Sequence, residues 1–61
     1  MDYKSYAYDL NFVMPELNSP YTTTELKINR IKNYYSNFNI KLETMDTLYI
    51  LKEFVNLNKG V

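Results

Sequence analysis

The chain of 61 residues contains neither histidine nor cysteine, so the usual nucleophile–base pairs and zinc ligand sets cannot be built from it. Carboxylates are the remaining groups suited to proton transfer. No spacing forces together any two of the acidic residues after Asp2, which are Asp9, Glu16, Glu25, Glu43, Asp46 and Glu53. A glycine-rich phosphate loop is excluded because Gly60 is the single glycine. The sequence therefore predicts a protein that is not an enzyme and uses no cofactor or metal.

Tyrosine is the most unusual component, with seven residues in so short a chain. Tyrosine is enriched at binding interfaces because it combines a large stiff ring with a hydroxyl. It also fills the wet edges of small cores. We assign Tyr6, Tyr8 and Tyr35 to the core by their positions in the apolar pattern. The three that fall beside an apolar stripe are predicted to bind a partner, and they are Tyr21, Tyr34 and Tyr49.

Positive charge is concentrated in residues 26–41, which contain Lys27, Arg30, Lys32 and Lys41 and no acid. The whole chain nevertheless balances seven basic against seven acidic residues. That balance argues against a protein that binds nucleic acid by bulk attraction. An ordinary solvated helix face explains the cluster more simply than a dedicated site does. We still include Lys27 and Arg30 in the predicted partner-binding surface.

The clearest helix signal covers residues 22–38. Apolar side chains recur there at spacings of three and four, as one face of a helix requires; they are Ile28, Ile31, Tyr35 and Phe38. Thr22 and Glu25 fit a capping box at its start. The stretch 37–39, Asn-Phe-Asn, is a plausible end because asparagine tolerates the left-handed backbone that terminates helices.

The segment before this helix alternates large apolar with small or polar side chains over residues 6–13. A period of two predicts a β-strand with one buried face. Residues 1–5 are then a frayed terminus. Pro15 ends the strand, and Leu17 is expected to pin the following loop to the core.

A second helix is predicted over residues 45–58, ending in a cationic turn and a Gly60 cap. Its apolar residues cover about half the circumference, wider than the ~100° stripe of a helix packed on one side. Such a helix needs two surfaces to pack against. Between the helices, residues 38–43 fit either a short second strand or an extended connection, and the pattern does not separate the two.

These elements predict an α+β fold of one domain over residues 1–61, with an N-terminal β-strand followed by two α-helices. A chain this small, without disulfide or metal, is expected to be dimeric or partner-bound. No apolar run approaches the ~20 residues of a membrane span. The N-terminus does not resemble a secretory signal. We therefore expect a cytoplasmic protein without membrane contact.

The order strand, helix, helix resembles in topology the ribbon-helix-helix family of dimeric DNA-binding transcriptional regulators. That resemblance implies that outward strand residues enter the major groove, where Asn11 is the only good base reader of the set. Lys27, Arg30 and Lys32 would then contact phosphates. The chain departs from the family because Asp9 also points outward and the connection between the helices lacks glycine.

The alternative that we favour is a small interaction protein that inhibits or regulates a larger protein by steric docking. Small phage- or mobile-element-encoded inhibitors often have such compositions. The tyrosine content, the balanced charge and the two-sided last helix support this reading. Tyr34 and Tyr49, with Lys27, Arg30 and Tyr21, are the residues predicted to contact the partner.

Overall fold

The computed structural model describes residues 2–59 and is helical throughout its regular elements. Helix α1 covers Tyr3–Val13, a 3-10 helix covers Pro15–Asn18, α2 covers Thr24–Ser36 and α3 covers Thr44–Lys59. No strand occurs among residues 2–59. The predicted α+β fold with an N-terminal β-strand is therefore wrong, and the domain is a small three-helix structure. The predicted Gly60 cap lies outside the described residues.

Helix α1 forms because its buried residues follow a helical spacing. Ala7 and Leu10 are fully buried, and Tyr3 and Met14 pack partly buried against the same core. These positions are separated by four, three and four residues, which places them on one side of a helix. Asp2 caps the first turn by accepting from the Ser5 N–H at 3.2 Å and from the Ser5 hydroxyl at 2.7 Å. Residues 2–5 are thus a cap and a first turn, not a frayed end.

The strand prediction failed because two different sets of side chains combined into one alternating pattern. Leu10 lies in the core, whereas Tyr8 and Phe12 are 63% and 86% exposed. All three have the same parity in sequence, so they look like one buried face. A helix separates them, since positions 8 and 12 lie about 140° to 180° around the axis from the buried side. Ala7, assigned to the solvent face of the strand, is buried.

Helix α2 agrees with its prediction in its core residues and differs at its ends. Ile31 and Tyr35 are buried as expected, while Phe38 is 58% exposed and lies beyond the last helical residue. The cap is Thr23, whose hydroxyl accepts from the Leu26 N–H at 3.2 Å. Thr22 lies in the preceding turn, where its N–H donates to the Ser19 carbonyl at 3.4 Å. The capping box with Glu25 therefore does not form.

The end of α2 is a Schellman motif, a reversal in which one residue adopts a left-handed backbone. Asn39 has a φ of 62°, its N–H bonds to the Ser36 carbonyl, and the Ile40 N–H reaches back to the Tyr35 carbonyl. The predicted asparagine stop is confirmed. Residues 38–43 are accordingly a turn and an extended connection, and the alternative of a short strand is wrong.

Helix α3 confirms the predicted last helix and runs parallel to α1. The start of α1 contacts the start of α3 through Tyr3 and Asp46, and its end contacts the end of α3 through Asn11 and Asn58. The core between the helices contains the fully buried Phe54. Leu17 of the 3-10 helix is 1% exposed and closes this core as predicted. The other buried apolar residues are Ala7, Leu10, Ile31, Tyr35, Leu42, Ile50 and Leu51.

Truncation of Phe54 to alanine should lower the free energy of unfolding by about 3–5 kcal/mol, since its ring is fully buried and leaves a cavity. The matched control is Phe12→Ala, which removes the same atoms from a side chain that is 86% exposed and should change stability by less than about 0.5 kcal/mol. Urea denaturation measures both. Equal destabilisation by the two substitutions would contradict the orientation of α1.

Replacement of Asn39 tests the Schellman motif. Asn39→Gly should preserve or slightly raise stability because glycine adopts a positive φ without steric cost. Asn39→Val should lower stability by about 1–2 kcal/mol, since a β-branched residue is strained at that φ. Thermal melting distinguishes the two. A valine variant that melts with the glycine variant would show that the left-handed turn is absent in solution.

Candidate interaction surfaces

Helix α3 carries a solvent-facing apolar strip on the side opposite its buried face. Met45, Leu48, Tyr49 and Val55 are 60%, 37%, 47% and 41% exposed, respectively. Their spacings of three, one and six residues place them within about 120° of one another around the helix. The opposite side holds the buried residues of α3, which are Thr47, Ile50, Leu51 and Phe54. We call the strip formed by Met45, Leu48, Tyr49 and Val55 the outer face of α3.

The outer face explains the wide apolar arc of the sequence pattern. Leu48, Leu51 and Val55 share one flank of that arc, but Leu51 is only 9% exposed, whereas Leu48 and Val55 remain accessible. Two exposed polar residues, Lys52 and Asn56, lie within the same arc between Tyr49 and Val55. One half of the apolar arc therefore builds the core, and the other half is available for a partner.

Tyr49 is held in place by α1. Its ring stacks on Tyr3 with centroids 5.2 Å apart and planes at 24°. Tyr3 is itself fixed because its hydroxyl donates to Asp46 Oδ1 at 2.9 Å. That hydrogen bond, followed by desolvation, raises the pKa of Tyr3 above its ordinary value. The predicted partner residue Tyr49 thus presents a rigid, half-exposed ring at the edge of the outer face.

Tyr34 lies on a different side of the molecule, between α2 and α1. Lys27 and Arg30 precede it by seven and four residues, so the three share one stripe of α2. The ring of Tyr34 packs edge-on against Tyr35 and Phe38, with centroids 5.0 and 5.3 Å away. Its hydroxyl lies 3.4 Å from Asp9 Oδ2, and burial followed by the Asp9 charge raises its pKa. Tyr34 is therefore engaged largely within the protein.

Tyr35 is the most buried tyrosine among the described residues, at 3% exposure. Its hydroxyl lies 3.1 Å from the Tyr6 carbonyl and 3.3 Å from Asp9 Oδ2, so a single proton is shared between two acceptors. The ring meets Tyr6 edge-to-face at 4.7 Å. Desolvation first, and then the nearby Asp9 carboxylate, raise the pKa of Tyr35 well above its ordinary value of 10.0.

The residues assigned to DNA binding do not converge. Lys32 donates to the Thr44 hydroxyl at 2.8 Å and lies at the boundary with α3. Arg30 lies two residues earlier on the same helix, about 200° away around its axis. Asn11 is on α1, where its side-chain oxygen accepts from Asn58 Nδ2 at 3.3 Å. The β-ribbon that would carry Asn11 into a groove is absent from residues 2–59.

Tyr21 and Tyr8 are two further tyrosines for which the sequence predicted a role. Tyr21 is 93% exposed in the turn before α2, as a partner-binding residue should be, but no described contact joins it to Tyr34 or Tyr49. Tyr8 was assigned to the core and is exposed. Sequence reasoning also missed Phe12 and Met45 as accessible residues. The sequence contains one signal that could have identified Tyr8 and Phe12 as exposed, which is Asp2 three residues before Ser5. This spacing is typical of a helix start, and in a helix both side chains face solvent.

Comparisons with protein-family models, with curated proteins and with solved structures find no match for this chain. Within residues 2–59, no group of three or more acidic side chains is placed to hold a metal ion. None of the helices described here has both the length and the apolar character required to cross a bilayer. The surfaces themselves therefore carry the functional argument.

The raised pKa of Tyr35 predicts that stability falls at alkaline pH. In the unfolded chain Tyr35 ionises near 10, while the folded protein retains the proton. The stabilisation is therefore complete below pH 10 and is lost as pH rises from there towards the folded-state pKa. Tyr35→Phe should cost about 1 kcal/mol at neutral pH and flatten the fall above pH 10.

Denaturant unfolding at a series of pH values measures this effect, with tyrosinate absorbance as a second readout. The matched control is Tyr21→Phe, which removes the same oxygen from a side chain that is 93% exposed. An alkaline decline that is as steep in Tyr35→Phe as in the wild type would contradict the burial of the Tyr35 hydroxyl.

Proposed function

We propose that this protein is a small non-enzymatic interaction protein that docks on a larger protein in the cytoplasm and regulates or inhibits it by steric occlusion. The observation that carries the proposal is the outer face of α3. Four apolar side chains lie there in a strip three turns long, directly behind a buried face of the same helix. Met45, Leu48 and Tyr49 have the i, i+3, i+4 spacing by which helices fill apolar grooves of partner proteins, and Val55 follows Leu48 by seven residues.

The chemistry of the strip supports a protein partner. Tyr49 provides a stiff ring already held by Tyr3, so little side-chain entropy is lost when it is covered. Met45 is flexible and adapts to irregular pockets. Leu48 and Val55 add apolar area, and Lys52 between them can extend its aliphatic stem along the same strip. Steric occlusion of a partner requires only contact area of this kind and no catalytic side chain.

A dimeric DNA-binding regulator is not favoured by any specific observation. Its resemblance depended on an N-terminal strand, and the corresponding residues form α1. Asn11 is bonded to Asn58 near the end of α3, whereas Lys32 is bonded to Thr44 at its start. A second copy of the chain could also cover the outer face of α3. A capture experiment distinguishes a second copy of the chain from a larger protein partner.

Tagged protein should capture one stoichiometric partner from its native lysate, with or without nuclease, and Leu48→Ser/Val55→Ser should abolish the capture. Both side chains are partly exposed, so circular dichroism should show an unchanged fold. The matched variant Tyr8→Ser/Phe12→Ser removes two exposed apolar side chains from α1 and should retain the partner.

Other outcomes would contradict the proposal. Capture that is lost in the α1 variant and kept in the α3 variant would place the interface elsewhere. Recovery of nucleic acid alone would indicate a nucleic-acid-binding regulator instead. Recovery of only untagged copies of the same chain, with a doubled mass in sedimentation, would mean that the outer face of α3 is a homodimer interface.

A further inference from the structure

A groove of about 520 Å³ lies between the C-terminal half of α2 and the connection that leads to α3. This volume is within the ~300–1,000 Å³ range of ligand sites. Two lysines line it, Lys32 from α2 and Lys41 from the connection. Asn33 and Asn39 add amide groups to the lining, so the groove offers several hydrogen-bond donors beside two positive charges.

The floor of the groove is apolar. Leu42 is 6% exposed and belongs to the core, and Ile40 is half-buried against it. Both residues line the groove together with the polar side chains. The combination of an aliphatic floor with cationic edges suits a ligand that carries aliphatic groups and negative charges on the same short segment.

The positive charge in the groove is only partly balanced. Lys32 Nζ donates to the Thr44 hydroxyl at 2.8 Å, which is a neutral partner. Thr44 is the first residue of α3, and the partial positive charge of that helix start is offset by Asp46, whose Oδ2 lies 3.4 Å from the Glu43 N–H. Glu43 is the single acidic residue of the lining. With two lysines against one glutamate the lining has a net positive charge, and its ammonium groups attract an anionic ligand.

We propose that this groove binds an acidic segment of the protein partner, with carboxylates between Lys32 and Lys41 and aliphatic side chains on Ile40 and Leu42. The inference rests on the proposed function, because it gives the chemistry of the partner. A nucleic acid fits less well, since the lining holds no aromatic ring on which a base could stack and no arginine to grip phosphate in two places.

The groove ends at Glu43, the residue before α3, and so lies next to the start of the outer face of α3. Thr44, which receives the Lys32 hydrogen bond, precedes Leu48 by one helical turn on the same side. Met45 follows Thr44 directly. A partner that covers Met45 and Leu48 can therefore extend an acidic segment past the start of α3 into the groove. Docking on the apolar strip and recognition of carboxylates are then two parts of one interface.

Titration of isotope-labelled full-length protein with a short peptide of alternating glutamate and leucine tests the proposal. Backbone amide shifts should move at Lys32, Asn33 and Asn39. A peptide with glutamine in place of each glutamate should bind at least tenfold more weakly. Inorganic phosphate and a single-stranded oligonucleotide are titrated separately to distinguish other sources of negative charge.

The double variant Lys32→Gln/Lys41→Gln should weaken binding of the glutamate peptide by about tenfold, corresponding to two partly exposed charge contacts. The matched control Lys4→Gln/Lys59→Gln lowers the net charge equally and removes no lysine of the groove or of the predicted partner-binding surface, so it should leave the affinity unchanged. Raising the salt concentration should weaken the wild type more than the groove variant.

Several results would overturn the inference. They are the absence of peptide binding, equal binding of the glutamine peptide, or equal loss in both double variants. Tighter binding of phosphate or of the oligonucleotide than of the peptide, seen as shifts of the same amides at lower concentration, would also overturn it. The ligand of the groove would then be that other anion. Failure of the proposed function is separate, because it appears as partner capture that survives Leu48→Ser/Val55→Ser, which leaves the groove lysines in place.

Discussion

The parallel packing of α1 on α3 is the interaction on which the rest of the structure depends. A chain of this length with no cysteine has no disulfide to hold its ends together. Side-chain contacts supply that restraint at both ends of the helix pair. Tyr3 donates to Asp46 at one end, and Asn58 donates to Asn11 at the other. Between them, Leu10 and the apolar face of α3 exclude water.

Asp46 links two parts of this arrangement. One carboxylate oxygen accepts from Tyr3, and the other lies 3.4 Å from the Glu43 N–H at the start of α3. The same side chain therefore orders the first turn of α3 and attaches α1 to it. Helix α2 is held on the other side of α1, where the hydroxyls of Tyr34 and Tyr35 both approach Asp9 Oδ2. These contacts leave one side of α1 and one side of α3 uncovered, and apolar side chains remain exposed there.

Local signals were sufficient to predict α2 and α3. Their apolar residues recur with an unambiguous helical period, and Asn39 adopts the left-handed backbone expected at a helix end. Leu17 was predicted to close the core because it is a lone apolar residue in a polar loop. The cap of α2 is one residue later than predicted, since three consecutive threonines can each accept a hydrogen bond and the sequence does not distinguish them.

The first helix could not be predicted from its pattern, for a physical reason. Tyr8 and Phe12 are of the same residue types that fill cores, and over eight residues a mixture of buried and exposed aromatic side chains imitates a strand. Only tertiary packing reveals which are covered. The exposed residues of the candidate surfaces could be predicted only in part for the same reason. Tyr49 was identified because it lies beside the apolar arc, whereas Met45 and Phe12 were not. The groove could not be predicted because its shape depends on the backbone path of residues 39–43.

Nuclear Overhauser spectroscopy on the free protein tests the central claim, which is that α1 is a helix packed parallel to α3. The account predicts sequential amide–amide contacts from Tyr3 to Val13. It also predicts contacts between the ring protons of Tyr3 and Tyr49, whose centroids are 5.2 Å apart. Strong α-proton-to-amide contacts over residues 6–13, without the contact between the two rings, would contradict it. That result would restore the strand and remove the basis for both proposed surfaces.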